Sequence, residues 1–215
     1  MTQEMVTIAA LACVGGLIGL SADRISVRWP AHLADYKPRG LDWRTVVLTA
    51  GGAFVFGGLA ARWLSEPGFL FLAAVSAALI FLLATDLDQK ILPDWVTLPL
   101  IAVTATWLVA GWSPLLAGKD LGIASGIAAG IAAPIFLFVT DRLLRGDLGD
   151  GDLKLAVSIG LLTGISLLVT GLLVASILFS VVLLALIALK RIGLKSAVPF
   201  GPVLIAAAFV AVLIG

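Results

Sequence analysis

Asp150 and Asp152 stand between glycines in the run Gly149-Asp150-Gly151-Asp152-Leu153-Lys154-Leu155, just ahead of a long apolar stretch. A second acidic cluster, Asp86, Asp88 and Asp94, closes another apolar run. Carboxylates beside apolar segments are costly, which makes each a candidate functional group. Asp86 comes directly after the apolar run, so it is partly desolvated and its charged form is disfavoured. With Asp152 within a few ångströms, two negative charges would not both persist cheaply, and one proton would be shared by the pair. Peptide hydrolysis by two aspartates needs such sharing. One carboxylate takes a proton from water while the other donates to the carbonyl oxygen or the leaving amine. The expectation is a pair made of one Asp from each cluster, meeting at a membrane surface. Gly149 and Gly151, with no Cβ, would permit unusual backbone angles and close approach of a substrate backbone. Lys154 either neutralises the site or marks the membrane boundary.

The rest of the chain must hold those groups in a bilayer. Of its 215 residues, 61% are hydrophobic and only 13% charged, about half the ~25% of soluble domains, and the mean hydropathy is +1.15. Fourteen Lys and Arg against thirteen Asp and Glu leave a net charge of +1, with no basic excess for nucleic acid. The single cysteine, Cys13, excludes an intramolecular disulfide and a cysteine-rich zinc site. The first apolar run has no basic segment before it and no small-residue cleavage site after it, so it reads as a retained helix.

Spans of about 20 apolar residues predict an all-α, polytopic transmembrane bundle of about eight helices. They fall over 6–22, 45–61, 69–85, 96–111, 121–140, two within 153–189 and 200–214. The stretch 153–189 is too long for one span, and Gly164 and Gly171 favour a break near 165–169. The loops after helices one, three, five and seven hold twelve Lys and Arg, and the opposite side holds two, Arg62 and Lys119. That bias puts both acidic clusters on the cytoplasmic side. Residues 1–68 read as an N-terminal two-helix region with a short cytoplasmic loop, and 69–215 as a six-helix core. Gly15-x-x-x-Gly19, Gly122-x-x-x-Gly126-x-x-x-Gly130 and Gly160-x-x-x-Gly164 place small residues on single helix faces for close packing. Trp29, Trp43, Trp63, Trp95 and Trp112 lie at predicted helix ends and read as interfacial anchors.

Other chemistries fit less well. Five acids facing one another would suit a divalent cation, but Asp147, Asp150 and Asp152 do not follow a calcium-loop spacing, so no metal is expected. Proton-coupled transport would use membrane carboxylates, yet transporter sites lie near the midplane and these acids sit at one interface. Asp88, Asp120, Asp141 and Asp147 read as solvated loop acids. His32, the only histidine, lies in a polar loop with no serine or cysteine partner in view.

The two clusters together resemble the type IV prepilin peptidases, integral-membrane aspartic proteases of the Gly-x-Gly-Asp group. Gly149 to Leu155 is similar to that family's Gly-x-Gly-Asp-x-Lys-Leu motif. Asp86, with Leu92-Pro93-Asp94 eight residues on and Thr97 and Pro99 beyond, resembles its first aspartate motif. The runs 156–164 and Pro199-Phe200-Gly201-Pro202 also match, and the resemblance extends over 69–215. It implies that Asp86 and Asp152 are catalytic, with Gly149, Gly151, Asp94 and Lys154 binding substrate or supporting them. No cofactor is implied.

The implied reaction is removal of a short basic leader from type IV prepilin-like or pseudopilin-like precursors, at the cytoplasmic face of a bacterial inner membrane. The type IV pilus and protein secretion are the processes such substrates serve. Bifunctional members carry two Cys-x-x-Cys pairs in a cytoplasmic insert associated with N-methylation. Here the loop 23–44 holds no cysteine, so methyltransferase activity is expected to be absent. The alternatives are an inactive homologue that binds pilin-like helices, or a proton-coupled transporter.

Overall fold

The computed structural model describes residues 3–29, 40–118, 121–144, 148–189 and 200–215. His32, Asp120, Asp147 and the basic Lys190, Arg191 and Lys195 lie outside the described residues. Among the described residues seven helices appear in order: α1 (Gln3–Ser26), α2 (Trp43–Trp63), α3 (Phe69–Gln89), α4 (Asp94–Val109), α5 (Gly122–Leu144), α6 (Asp150–Ala188) and α7 (Gly201–Ile214). Five of them, α1, α2, α3, α5 and α6, are long and apolar enough to cross a membrane, while α4 and α7 are shorter apolar helices. The chain is a multi-pass membrane protein. Large apolar side chains such as Phe54, Leu70, Phe136 and Val181 face outward, as they do where lipid is the solvent.

Seven helices stand where about eight were expected, and the difference lies in α6. Gly164 adopts φ 66 and ψ 178 inside it, a combination open almost only to glycine. The break strands the Ile165 N–H, and Ser125 Oγ of α5 accepts it at 3.0 Å. The chain reverses there. Asp152 Oδ1 lies beside Gly201, and Ala175 packs in one cluster with Val203 and Ala207. Both halves of α6 therefore reach the start of α7, although a straight helix would separate residues 152 and 175 by about 35 Å. The break falls at Gly164 itself, just ahead of the expected 165–169.

Between these arms α7 is buried along Val203, Leu204, Ile205, Ala207, Ala208, Ala211 and Val212. A helix that is apolar all round belongs inside a core. Elsewhere, small residues set the contacts. A Cβ on Gly15 or Gly19 would collide with the main chain of Gly52 or Leu48 in α2, and one on Gly160 with Ala129 and Gly130 in α5. This close approach supplies helix association where lipid gives no hydrophobic drive.

Two expectations are corrected. Trp63 is no interfacial anchor: it is buried and its indole N–H donates to the Val212 carbonyl at 2.9 Å. Nor does α3 stop at Asp86. The helix runs one turn further, through Asp88, and ends at Lys90 in the left-handed region, whose N–H donates to the Asp86 carbonyl at 3.0 Å. Polar side chains end the apolar pattern there but leave the backbone ladder intact. Pro93 disfavours helix at the residue before it and is itself extended at φ −69 and ψ 130, and α4 begins at Asp94.

Candidate active site

Asp86 and Asp152 come together at the head of α7. Asp86 sits one turn before the end of α3 and is 5% exposed. Asp152 is the third residue of α6, the position from which an acidic side chain reaches back to the capping residue. Its own N–H donates to the Gly149 carbonyl at 3.0 Å. A Cβ placed on Gly201 would lie 2.6 Å from Asp86 Oδ2 and 3.3 Å from Asp152 Oδ1. Those two oxygens are thus within about 5.9 Å of each other, the two reaches laid end to end. Both are enclosed and accept no hydrogen bond from the described residues. Buried polar atoms are nearly always paired, so two orphan acceptors side by side mark a place built for something other than stability.

The neighbouring acids go elsewhere. Asp150 is exposed. Asp88 is no solvated loop acid. It lies in α3, is 16% exposed, and pairs with Arg44 of α2. Asp141 accepts the Leu148 N–H at 2.9 Å and so tethers the chain just ahead of the Gly149 motif. Asp94, at the start of α4, binds Lys154 Nζ at 2.6 Å, with the two side chains 58% and 31% exposed. Lys154 therefore bridges α4 to α6. Its open setting limits the pair to about 1 kcal/mol or less.

Neither motif glycine has an unusual backbone conformation, and Gly151 alone is held to glycine by space. Gly149 caps α6 at φ −74 and ψ 146, which any residue adopts. At Gly151, a Cβ would meet Leu92 Cβ at 2.7 Å and the Leu92 carbonyl at 3.2 Å. Its bareness lets the first turn of α6 lie on the chain leading into α4. Among the described residues no three His, Cys, Asp or Glu side chains gather as a metal-binding group.

A polar clamp, unforeseen from the sequence, holds the Asp86 end of α3. The Gln89 amide donates to the Ser26 carbonyl at the end of α1, and Arg44 pairs with Asp88 from α2. Asp23, fully buried in α1, accepts from Thr45 Oγ1 at 2.8 Å. Asp42 caps α2 by accepting the N–H groups of Arg44 and Thr45. The one signal for this clamp was an acid, Asp23, directly behind an apolar helix. Gly201 had stood out only as part of the Pro199-to-Pro202 run, and Pro199 lies outside the described residues.

Residues 73–189 match the model of the type IV leader peptidase family. No curated protein and no solved structure gives a match. The matched stretch is more than half of the chain and takes in both aspartates that converge on Gly201. Bearing both motifs inside that stretch, the chain belongs to the type IV leader peptidase family.

Proposed function

We propose that this chain is a membrane-embedded aspartic endopeptidase in which Asp86 and Asp152 cleave the leader from type IV prepilin-like or pseudopilin-like precursors. The observation that carries the reading is the pair of enclosed, unpartnered oxygens, Asp86 Oδ2 and Asp152 Oδ1, on either side of Gly201. With one proton between them, one carboxylate is a base and the other an acid. The base takes a proton from water as the hydroxide oxygen bonds to the scissile carbonyl carbon. The acid gives its proton to the carbonyl oxygen, and a neutral gem-diol results. The carboxylate that lost its proton then takes one from the diol, while the other passes the water's proton to the leaving nitrogen. The C–N bond breaks to acid and amine, and the pair again holds one proton. No covalent intermediate is needed.

In this reading the supporting residues act by placement. Gly149 caps α6 and its carbonyl takes the Asp152 N–H, Gly151 seats α6 on Leu92, and the Asp94–Lys154 bridge links α4 to them. Residues 69–215 form the peptidase core, and 1–68 steady the Asp86 end of α3. The positive-inside count supports a cytoplasmic site in a bacterial inner membrane, where a basic leader would lie. The loop 23–44 lacks the cysteines of bifunctional relatives, which supports a peptidase without N-methyltransferase activity.

Co-expression with a tagged prepilin-like precursor, followed by mass, tests all of this. Leader loss should occur with wild type and with Asp150→Asn, and not with Asp86→Asn or Asp152→Asn. The product should lack the added mass of a methyl group. Equal cleavage by all four proteins would sink the assignment. No cleavage by wild type, with precursor still co-purifying, would favour a binding homologue.

A further inference from the structure

The head of α7 belongs to neither aspartate motif and lies beyond the matched stretch, yet it touches both carboxylates. At Gly201 a Cβ would stand 2.6 Å from Asp86 Oδ2, 3.0 Å from its Cγ and 3.3 Å from Asp152 Oδ1. Other tight glycines face different things: Gly171 meets the main chain of Ala207, and Gly58 the tip of Leu213. Among the described glycines, only a substitution at 201 pushes on both aspartates. The helix cannot retreat from them. Pro202 fixes the backbone just behind, the Phe200 carbonyl accepts the N–H of Val203 at 3.0 Å, and the rest of α7 is buried between the arms of α6. Asp86 itself is 5% exposed. Any side chain at 201 must therefore move the carboxylates.

We infer that Gly201 is a positioning residue for the pair: bare main chain at the head of α7 sets how closely Asp86 and Asp152 approach, and leaves between them the space where water and scissile carbonyl meet, a role that rests on the aspartic-peptidase reading for its effect on rate. Its geometric content is independent of substrate. Alanine at 201 fills the gap between the oxygens, so the loss appears in turnover and not in binding of the substrate's apolar helix.

The full chain is reconstituted in liposomes with a precursor carrying one apolar helix and a basic leader. Gly201→Ala should lower kcat about 100-fold, the scale of a 1 Å misplacement, with KM within about threefold of wild type. Gly171→Ala serves as a packing control, its losses following its melting temperature. Spacing is read separately, without catalysis, in a Cys13→Ser background carrying Asp86→Cys and Asp152→Cys. A short bis-methanethiosulfonate, which releases methanesulfinate as each cysteine thiolate attacks it, should bridge the pair with Gly201, and several-fold less with Gly201→Ala. If Gly201→Ala folds poorly, melting in the Asp86→Ala background decides. There Gly201→Ala should cost far less, because its collision partner is gone. Equal bridging for Gly and Ala at 201, kcat within about threefold of wild type, or equal destabilisation in the Asp86→Ala background would each overturn the role of Gly201. A wild-type protein that cleaves no precursor would overturn the peptidase reading alone, and bridging would still judge Gly201.

Discussion

Gly151→Ala separates space from flexibility within one short motif. The new Cβ would come 2.7 Å from Leu92 Cβ and 3.2 Å from the Leu92 carbonyl. Carbon pairs settle at about 3.5–4.0 Å, so relief requires roughly 1 Å of movement. Leu92 is 9% exposed and is pinned by Pro93 at the mouth of α4, so the first turn of α6 is what gives. Asp152 is the next residue and moves with it. A displacement of that size costs about 100-fold in rate, or about 2.7 kcal/mol in barrier. The same substitution at 149 meets nothing closer than Asp152 Oδ2 at 3.8 Å. Its backbone angles suit alanine, and only the capping preference of glycine over alanine is lost, about 0.5–1 kcal/mol of stability. Initial rates of leader removal, followed by mass with reconstituted protein, should therefore fall about 100-fold for Gly151→Ala and stay within about threefold for Gly149→Ala. Equal losses at the two positions, or a larger loss at 149, would refute the steric argument.

Gly164→Ala should lower the melting temperature in detergent by the equivalent of about 1–3 kcal/mol, since φ is 66 there and the new Cβ would lie 2.8 Å from Ser125 Oγ. An unchanged melt would mean that the reversal of α6 does not depend on glycine. Arg44→Ala and Asp88→Ala, alone and combined, should show a coupling of about 1 kcal/mol in melting, because the two side chains are only 28% and 16% exposed. Additive effects would remove this pair from the clamp on α3.

The two aspartates of the candidate site were legible because they sit in compact local motifs. Asp86 was marked by the apolar run behind it and Asp152 by its glycines, and the structure brings both to one place. What escaped the sequence depends on contacts between distant segments. Asp88 looked solvated because its partner, Arg44, lies in another helix. Trp63 looked interfacial because hydropathy locates a helix end without saying whether that end is covered, and here Val212 covers it. The end of α3 was misjudged for a related reason. Apolar periodicity stops at Asp86, while backbone hydrogen bonding continues to Lys90. The break in α6 was visible as an excess of length, and glycine narrowed it to a few residues. Gly201 was invisible as a neighbour of the aspartates, since only three-dimensional closure of α3, α6 and α7 brings it there.

The burial of α7 between the two arms of α6 also bears on biogenesis. Of the described helices, α7 follows α3 and α6 in the chain and is made after them. It spans only fourteen residues, about 21 Å of helix, short for crossing a bilayer alone. It must slot into a socket that α3 and both arms of α6 have already formed, and until then both carboxylates lack the wall that Gly201 provides. Nascent chains halted before α7 would hold both aspartates without the wall that Gly201 provides, so closure of the candidate site waits on the insertion of α7.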